Sequence, residues 1–289
     1  MHWTERRERC RALLAGKQCV YPGSVFDPLS ARIAEELGFE IGLFSGSVAS
    51  LTVLGAPDLS VLTLSEFAGQ AYRICRAGNL SLLVDADHGY GNALNVRRTV
   101  EELETAGVCA LSIEDTLLPA AFGSPDDTRL ISIDEGVGKM RAALDARQDK
   151  NLIIAGRTSA AVINGLDDAI ARAQAYEAAG VDALFLIGLK TRAQLDSVAS
   201  AVKTPLILGA PGADILDLDY LASRGARICL QGHAPIAAAV QAVYATLKAL
   251  RDGVPPAKLA NIASAEMMKR LTRDADHERW TREFLGGGS

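Results

Sequence analysis

The chain has 289 residues, 49% of them hydrophobic, with 30 basic and 35 acidic side chains and a formal net charge of −5. That length fits two small domains or one large barrel, and an apolar half supplies a sizeable core. The acidic balance, without any basic cluster, argues against nucleic acid or an anionic membrane surface as a partner.

In chain order, Met1 to Arg11 is charged and lacks the apolar stretch of a secretory leader, so a cytoplasmic location is expected. The five cysteines, Cys10, Cys19, Cys75, Cys109 and Cys229, are widely spaced without C-x-x-C, which suits small hydrophobes in a reducing compartment. Val20 to Val25 predicts a first strand, and Asp27-Pro28 opens a helix with proline at its permitted first position. A pattern then recurs: an amphipathic helix ends in glycine, two or so residues follow, and a short apolar strand begins. Leu37-Gly38-Phe39-Glu40 leads into Ile41 to Phe44, and Ala106-Gly107-Val108 into Cys109 to Ile113. Ala179-Gly180-Val181-Asp182 leads into Ala183 to Ile187, and Arg224-Gly225-Ala226-Arg227 into Ile228 to Leu230. Further runs fall at Leu82 to Val84, Leu152 to Ala155 and Leu206 to Leu208. The runs are nearly continuous, as in parallel strands buried on both faces.

Between the strands, Ser132-Ile133-Asp134-Glu135 reads as a capping box, and Leu166 to Ala179 and Ala213 to Ser223 have helical spacing. Ala234 to Leu250 is the most apolar helix. Its Gln241, Thr246 and Lys248 suit a buried helix better than a membrane span. After Asp252, past Val254-Pro255-Pro256, two more helices are expected, and Gly286 to Ser289 reads as a flexible tail. Eight strands alternating with helices predict an α/β fold of the TIM (β/α)8 barrel type with extra C-terminal helices. The chain reads as a single barrel domain, 1–289, with residues 252–285 as a helical extension. An open doubly wound sheet is the alternative, but no G-x-G-x-x-G turn supports it.

The most informative stretch is Asp85-Ala86-Asp87-His88-Gly89-Tyr90-Gly91, just past the third strand, followed by Glu114-Asp115 past the fourth. Three or four converging carboxylates repel each other and draw up protons, a cost that a hard divalent cation relieves. Oxygen donors without a His or Cys cluster favour Mg2+, or Mn2+, over Zn2+. Asp85, Asp87 and Glu114 are therefore the expected metal ligands, with Asp87 and Glu114 open to acting through metal-bound water. Ser45-Gly46-Ser47 follows the second strand, Arg157-Thr158 the fifth and His233 the eighth. In a barrel all of these reach the same rim, where such folds build their sites. Arg157 reads either as a clamp on a substrate carboxylate or as a counter-ion for the acids. The Ser45 to Ser47 turn reads either as an anion cradle or as a plain loop. His233 reads as a substrate contact and proton donor, or as a structural residue at a helix start. His88 is a candidate to orient an acidic neighbour. Asp58 lies either on a closing loop or at a helix cap.

The acidic motif, with Gly156-Arg157-Thr158, resembles the isocitrate lyase and phosphoenolpyruvate mutase superfamily, from Val25-Phe26-Asp27-Pro28 to His233. That resemblance implies a Mg2+-dependent barrel enzyme acting on a 2-oxo or 2-hydroxy acid. Thr116 to Gly123 carries neither the Lys-x-Cys-Gly of the lyases nor the Lys and Asn of the phosphonate enzymes. Glu114 to Pro119, Phe26-Asp27-Pro28, Gly46 to Ser50 and Gly232-His233-Ala234 instead resemble the oxaloacetate decarboxylase branch. The chain departs from that branch at Ala210-Pro211-Gly212 and at Ser159, where the branch has Thr-Tyr-Gly and an Asn. The implied reaction is decarboxylation of oxaloacetate, or a related 2-oxo diacid, to pyruvate and CO2 through an enolate. Asp85, Arg157 and His233 are its implied catalytic residues, and Ser45, Gly46, Ser47, Arg157 and His233 its implied substrate contacts. The alternatives are a C–C lyase, a phosphonopyruvate-processing enzyme, or a barrel that binds a 2-oxo acid without turnover. Analogy with related barrels implies a homo-oligomer, a dimer or tetramer.

Overall fold

The computed structural model describes residues 3–120, 122–123 and 128–286. The chain divides into two compact units between Gly232 and His233. In the first unit eight strands form one parallel sheet in chain order. They are β1 (Gly23–Ser24), β2 (Ile41–Phe44), β3 (Ser81–Asp85), β4 (Ala110–Glu114), β5 (Ile153–Thr158), β6 (Ala183–Ile187), β7 (Leu206–Gly209) and β8 (Ala226–Cys229). A parallel bridge between Val20 and Ile228 joins the two edges. There Val20 N–H donates to the Arg227 carbonyl and Cys229 N–H to the Val20 carbonyl, each at 2.9 Å. The sheet is a closed barrel of the TIM type. The expected strand from Val20 to Val25 is interrupted, because Pro22 has no N–H for the ladder.

Alternate strand residues fill the barrel interior. Ile41, Leu43, Leu83, Ala110, Ile153, Ala155, Ala183, Phe185, Ile207 and Ile228 form one buried cluster. The helix Trp3–Ala15 adds Cys10 and Leu14 to it. This helix has no counterpart in the sequence reading, since its inward positions include Arg6 and Arg7 and break the apolar spacing. Both arginines are buried and matched. Arg6 donates to the Cys75 carbonyl, and Arg7 to the Val108 and Glu104 carbonyls and to Asp149. All five cysteines are free and buried.

Three details differ from expectation. Ala213 to Ser223 is not one helix: a 3-10 turn (Ala213–Ile215) precedes a helix (Leu218–Ser223) that Asp217 caps. Ser132 caps its helix by accepting from Glu135 N–H, without the reciprocal half of a capping box. The helix Ala234–Arg251, in the second unit, buries only Ile236, and Val240, Val243, Tyr244 and Leu247 are exposed. No helix among the described residues is long and apolar enough to cross a membrane. The second unit also holds the two expected helices, Ala265–Thr272 and Asp274–Leu285. Of the expected tail, residues 287–289 lie outside the described residues, as does Ala121 of the segment after β4.

Candidate active site

The interior columns that are apolar low in the barrel turn polar at the C-terminal strand ends. In steps of two, Leu83 is followed by Asp85, Ala110 by Ser112 and Glu114, and Ala155 by Arg157. Strand register sets Asp85 beside Ser112 and Glu114 beside Arg157. Ser112 Oγ donates to Asp85 Oδ1 at 3.0 Å, and Arg157 Nη1 pairs with Asp85 Oδ2. Arg157 Nη2 lies 3.4 Å from Glu114 Oε2, which also accepts from Thr116 Oγ1 at 3.0 Å. The guanidinium carbon stands 5.5 Å from the centre of the Phe185 ring.

Asp87 comes from the turn beyond β3. Its backbone is left-handed, with φ 48, and its carbonyl accepts from Glu114 N–H at 2.8 Å. Its carboxylate packs directly against Gly46, where a Cβ would overlap both oxygens. This close approach is the reason for glycine at position 46. Burial, reinforced by Asp85, Glu114 and Asp58, pushes the Asp87 carboxyl well above the ordinary range. Glu114 is also raised: burial, with Asp85, outweighs Arg157. Asp58 is raised by burial and by Asp85. Asp85 and Glu114 hold Arg157 firmly charged against the pull of burial. Four carboxylates thus share one guanidinium. Among the described residues, no group of three His, Cys, Asp or Glu side chains is placed to grip an ion directly.

The other expected residues divide. Ser45 caps the short helix Gly46–Ala49, accepting from Val48 N–H, and its Oγ lies 3.0 Å from Ser47 Oγ. Arg157 faces the acids with both terminal nitrogens, and its Nε is buried without a hydrogen-bond partner among the described residues. His233 opens the second unit at the cap position of the helix Ala234–Arg251, making no side-chain cap bond there. Asp115 is not part of the cluster, because the strand period turns it outward. Its Oδ2 accepts from Arg172 at 3.0 Å and from Tyr176 at 2.7 Å. Among the described residues His88 orients no acid, and its Nδ1 is buried without a partner there. Burial and Lys139 hold that ring neutral, with its pKa down to about 4. Tyr90, whose hydroxyl is also buried without a partner among the described residues, is kept protonated by burial and by Asp87. The sequence reading missed Lys139 and Arg172, which stand on helices far away in the chain, and Thr99, on the helix that follows the turn; none belongs to the acidic motif.

The family model of phosphoenolpyruvate phosphomutase matches residues 10–251. This chain belongs to that family. Among curated family relatives, the oxaloacetate decarboxylase of Bradyrhizobium diazoefficiens is 59% identical over 286 residues, covering 99% of each chain. That of Rhodopseudomonas palustris is 58% identical over the same length, again 99% of each. Solved family structures include a phosphonopyruvate hydrolase complexed with oxalate and Mg2+, 28% identical, with a TM-score of 0.85 over 97% of this chain and 99% of that one. An oxaloacetate acetylhydrolase with 3,3-difluorooxalacetate is 26% identical, with a TM-score of 0.86 over 99% of both chains. The superfamily placement drawn from the acidic motif therefore holds, and the chain is an enzyme of this family.

Proposed function

We propose that this chain decarboxylates oxaloacetate to pyruvate and CO2 with a divalent cation, Mg2+ or Mn2+, as cofactor. The observation that carries the reading is 56–59% identity, over essentially the full length, to curated oxaloacetate decarboxylases. The acidic cluster supports the cofactor. Its donors are all hard oxygens, and two of its acids are raised by burial, with repulsion from neighbouring carboxylates added, a cost that added positive charge relieves. Asp85, Asp87 and Glu114 are the residues that would hold the cation. A cation held there would supply Lewis-acid polarisation of the 2-oxo group and charge stabilisation for the loss of CO2.

The protein's own groups supply the rest. Arg157 braces Asp85 and Glu114 in one orientation, and it is assigned with the Ser45 to Ser47 turn to the carboxylate next to the keto group. His233 is assigned to the departing carboxylate, or to protonating the carbon it leaves. No covalent nucleophile is needed. In this reading the chain is one cytoplasmic barrel domain with a C-terminal helical extension, assembled as a dimer or tetramer.

The test is pyruvate release from oxaloacetate, methylisocitrate and phosphonopyruvate, each with and without EDTA. Release from oxaloacetate alone, lost with EDTA and restored by Mg2+, is expected. Preference for either other substrate would overturn the assignment, and so would oxalate binding without any turnover.

A further inference from the structure

The turn that carries Asp87 is held in costly backbone. Asp87 and Tyr90 have φ of 48 and 60, a left-handed conformation that disfavours L side chains by about 1–2 kcal/mol each. The turn persists because its carbonyls are tied down. Glu114 N–H binds the Asp87 carbonyl, and Thr99 Oγ1 donates to the Gly89 carbonyl at 3.0 Å. Between them, the His88 carbonyl accepts from Lys139 Nζ at 2.9 Å. Lys139 is 3% exposed, on the inward face of the helix Ile133–Ala146 beside Gly136, Met140 and Ala143. A buried ammonium is expensive, and a well-packed methionine there would generally be no less stable. Its one hydrogen bond among the described residues goes to a neutral carbonyl, which does not offset that cost. Among the described residues, the charged groups acting on it are Glu135 on its own helix and Glu114 and Asp115 on and just after β4.

We propose that Lys139 is a positioning residue for the acidic cluster. Its ammonium pins the Asp87 to Gly91 turn through the His88 carbonyl and places a second positive charge behind Glu114. The carboxylate of Asp87 then meets a cation in a fixed place. This rests on the reading of Asp85, Asp87 and Glu114 as the cation's ligands, and it assigns no contact between Lys139 and substrate.

The test compares wild type with Lys139→Met by two measurements besides turnover. Amide hydrogen exchange of metal-free protein should speed up at least tenfold at residues 87–91 and stay unchanged in the other strands. Calorimetry with Mn2+ alone should show at least tenfold weaker binding. If Lys139→Met does not accumulate in folded form, the same measurements on Lys139→Gln decide, with roughly threefold effects expected because an amide donor remains. Wild-type exchange at the turn overturns the tether, whatever the Mn2+ result. Local loosening with unchanged Mn2+ affinity overturns the positioning role, and exchange rising equally in every strand reduces Lys139 to a packing residue. If wild type itself takes up no Mn2+, the cation reading of the cluster fails, while exchange in metal-free protein still judges the tether.

Discussion

Asp85 joins two walls of the cluster, accepting from Ser112 and pairing with Arg157. Replacing it with alanine removes one carboxylate and frees Arg157 to swing toward Glu114. Asp85→Ala should lower kcat/KM for oxaloacetate at least 100-fold, about 2.7 kcal/mol of barrier, while far-UV circular dichroism stays that of the parent. Near-parental turnover would remove Asp85 from the site. Gly46→Ala probes the same cluster from the opposite wall. The new methyl would occupy the space of the Asp87 carboxylate, so the acid must move. Overpacking of this kind costs about 1–3 kcal/mol. Activity should fall much more than stability, since what moves is the acid and not the core. Comparing thermal midpoints with kcat separates the two effects. Glycine at 46 is printed in the sequence, but its reason is not: Asp87 lies 41 positions away and meets it only in the barrel.

Among the elements, the helix Trp3–Ala15 was illegible and the barrel strands were not. The strands announce themselves as apolar runs after glycine-ended helices, because parallel strands are buried on both faces. The first helix buries arginines, and only partners from distant segments make that tolerable. One of them is Asp149, which accepts from Arg7 and Thr4 at 3.0 Å and from Asn151 N–H at 2.9 Å. Burial alone would push Asp149 up, but the Asn151 amide, Arg7 and Thr4 outweigh it and hold the carboxyl below its ordinary value. The folded form therefore binds its proton less readily than the unfolded chain does. The resulting stability is complete above the ordinary carboxylate range near 4 and is lost as pH falls through the lower, folded value. Asp149→Asn should cost about 1 kcal/mol at neutral pH and make the midpoint fall less steeply with acid below about pH 4. Denaturant titrations at several pH values check this, and parallel curves for the two proteins would refute it. The helix Leu166–Ala179 shows the other extreme. Its bounds coincide with those read from apolar spacing and the closing glycine, because those two signals are local, even though its buried Arg172 finds its partner in distant Asp115.

For the molecule as a whole, a cation that binds only the folded barrel must stabilise it. At about 100 times its dissociation constant, Mg2+ should add about 2.7 kcal/mol and raise the midpoint by roughly 5 °C or more. The increment should vanish in Asp85→Ala, as differential scanning calorimetry would show. The exposed Val240, Val243, Tyr244 and Leu247 of the helix Ala234–Arg251 form an apolar stripe that a soluble monomer rarely leaves bare. In sedimentation the chain should run as a dimer or tetramer of the 30.5 kDa subunit, and a monomer at micromolar concentration would count against that assembly. By itself, the sequence determined the barrel, the rim on which Asp85, Asp87, Glu114 and Arg157 meet, and the family, because strand period, glycine-ended helices and a local acidic motif are short-range signals. Only the tertiary structure decided which acids face each other. It turned Asp115 away to Arg172 and Tyr176, packed Asp87 onto Gly46, and set Arg157 against Asp85 and Glu114. Those outcomes depend on register between strands and on helices distant in the chain, and electrostatic energy is a property of distances that no run of residues contains.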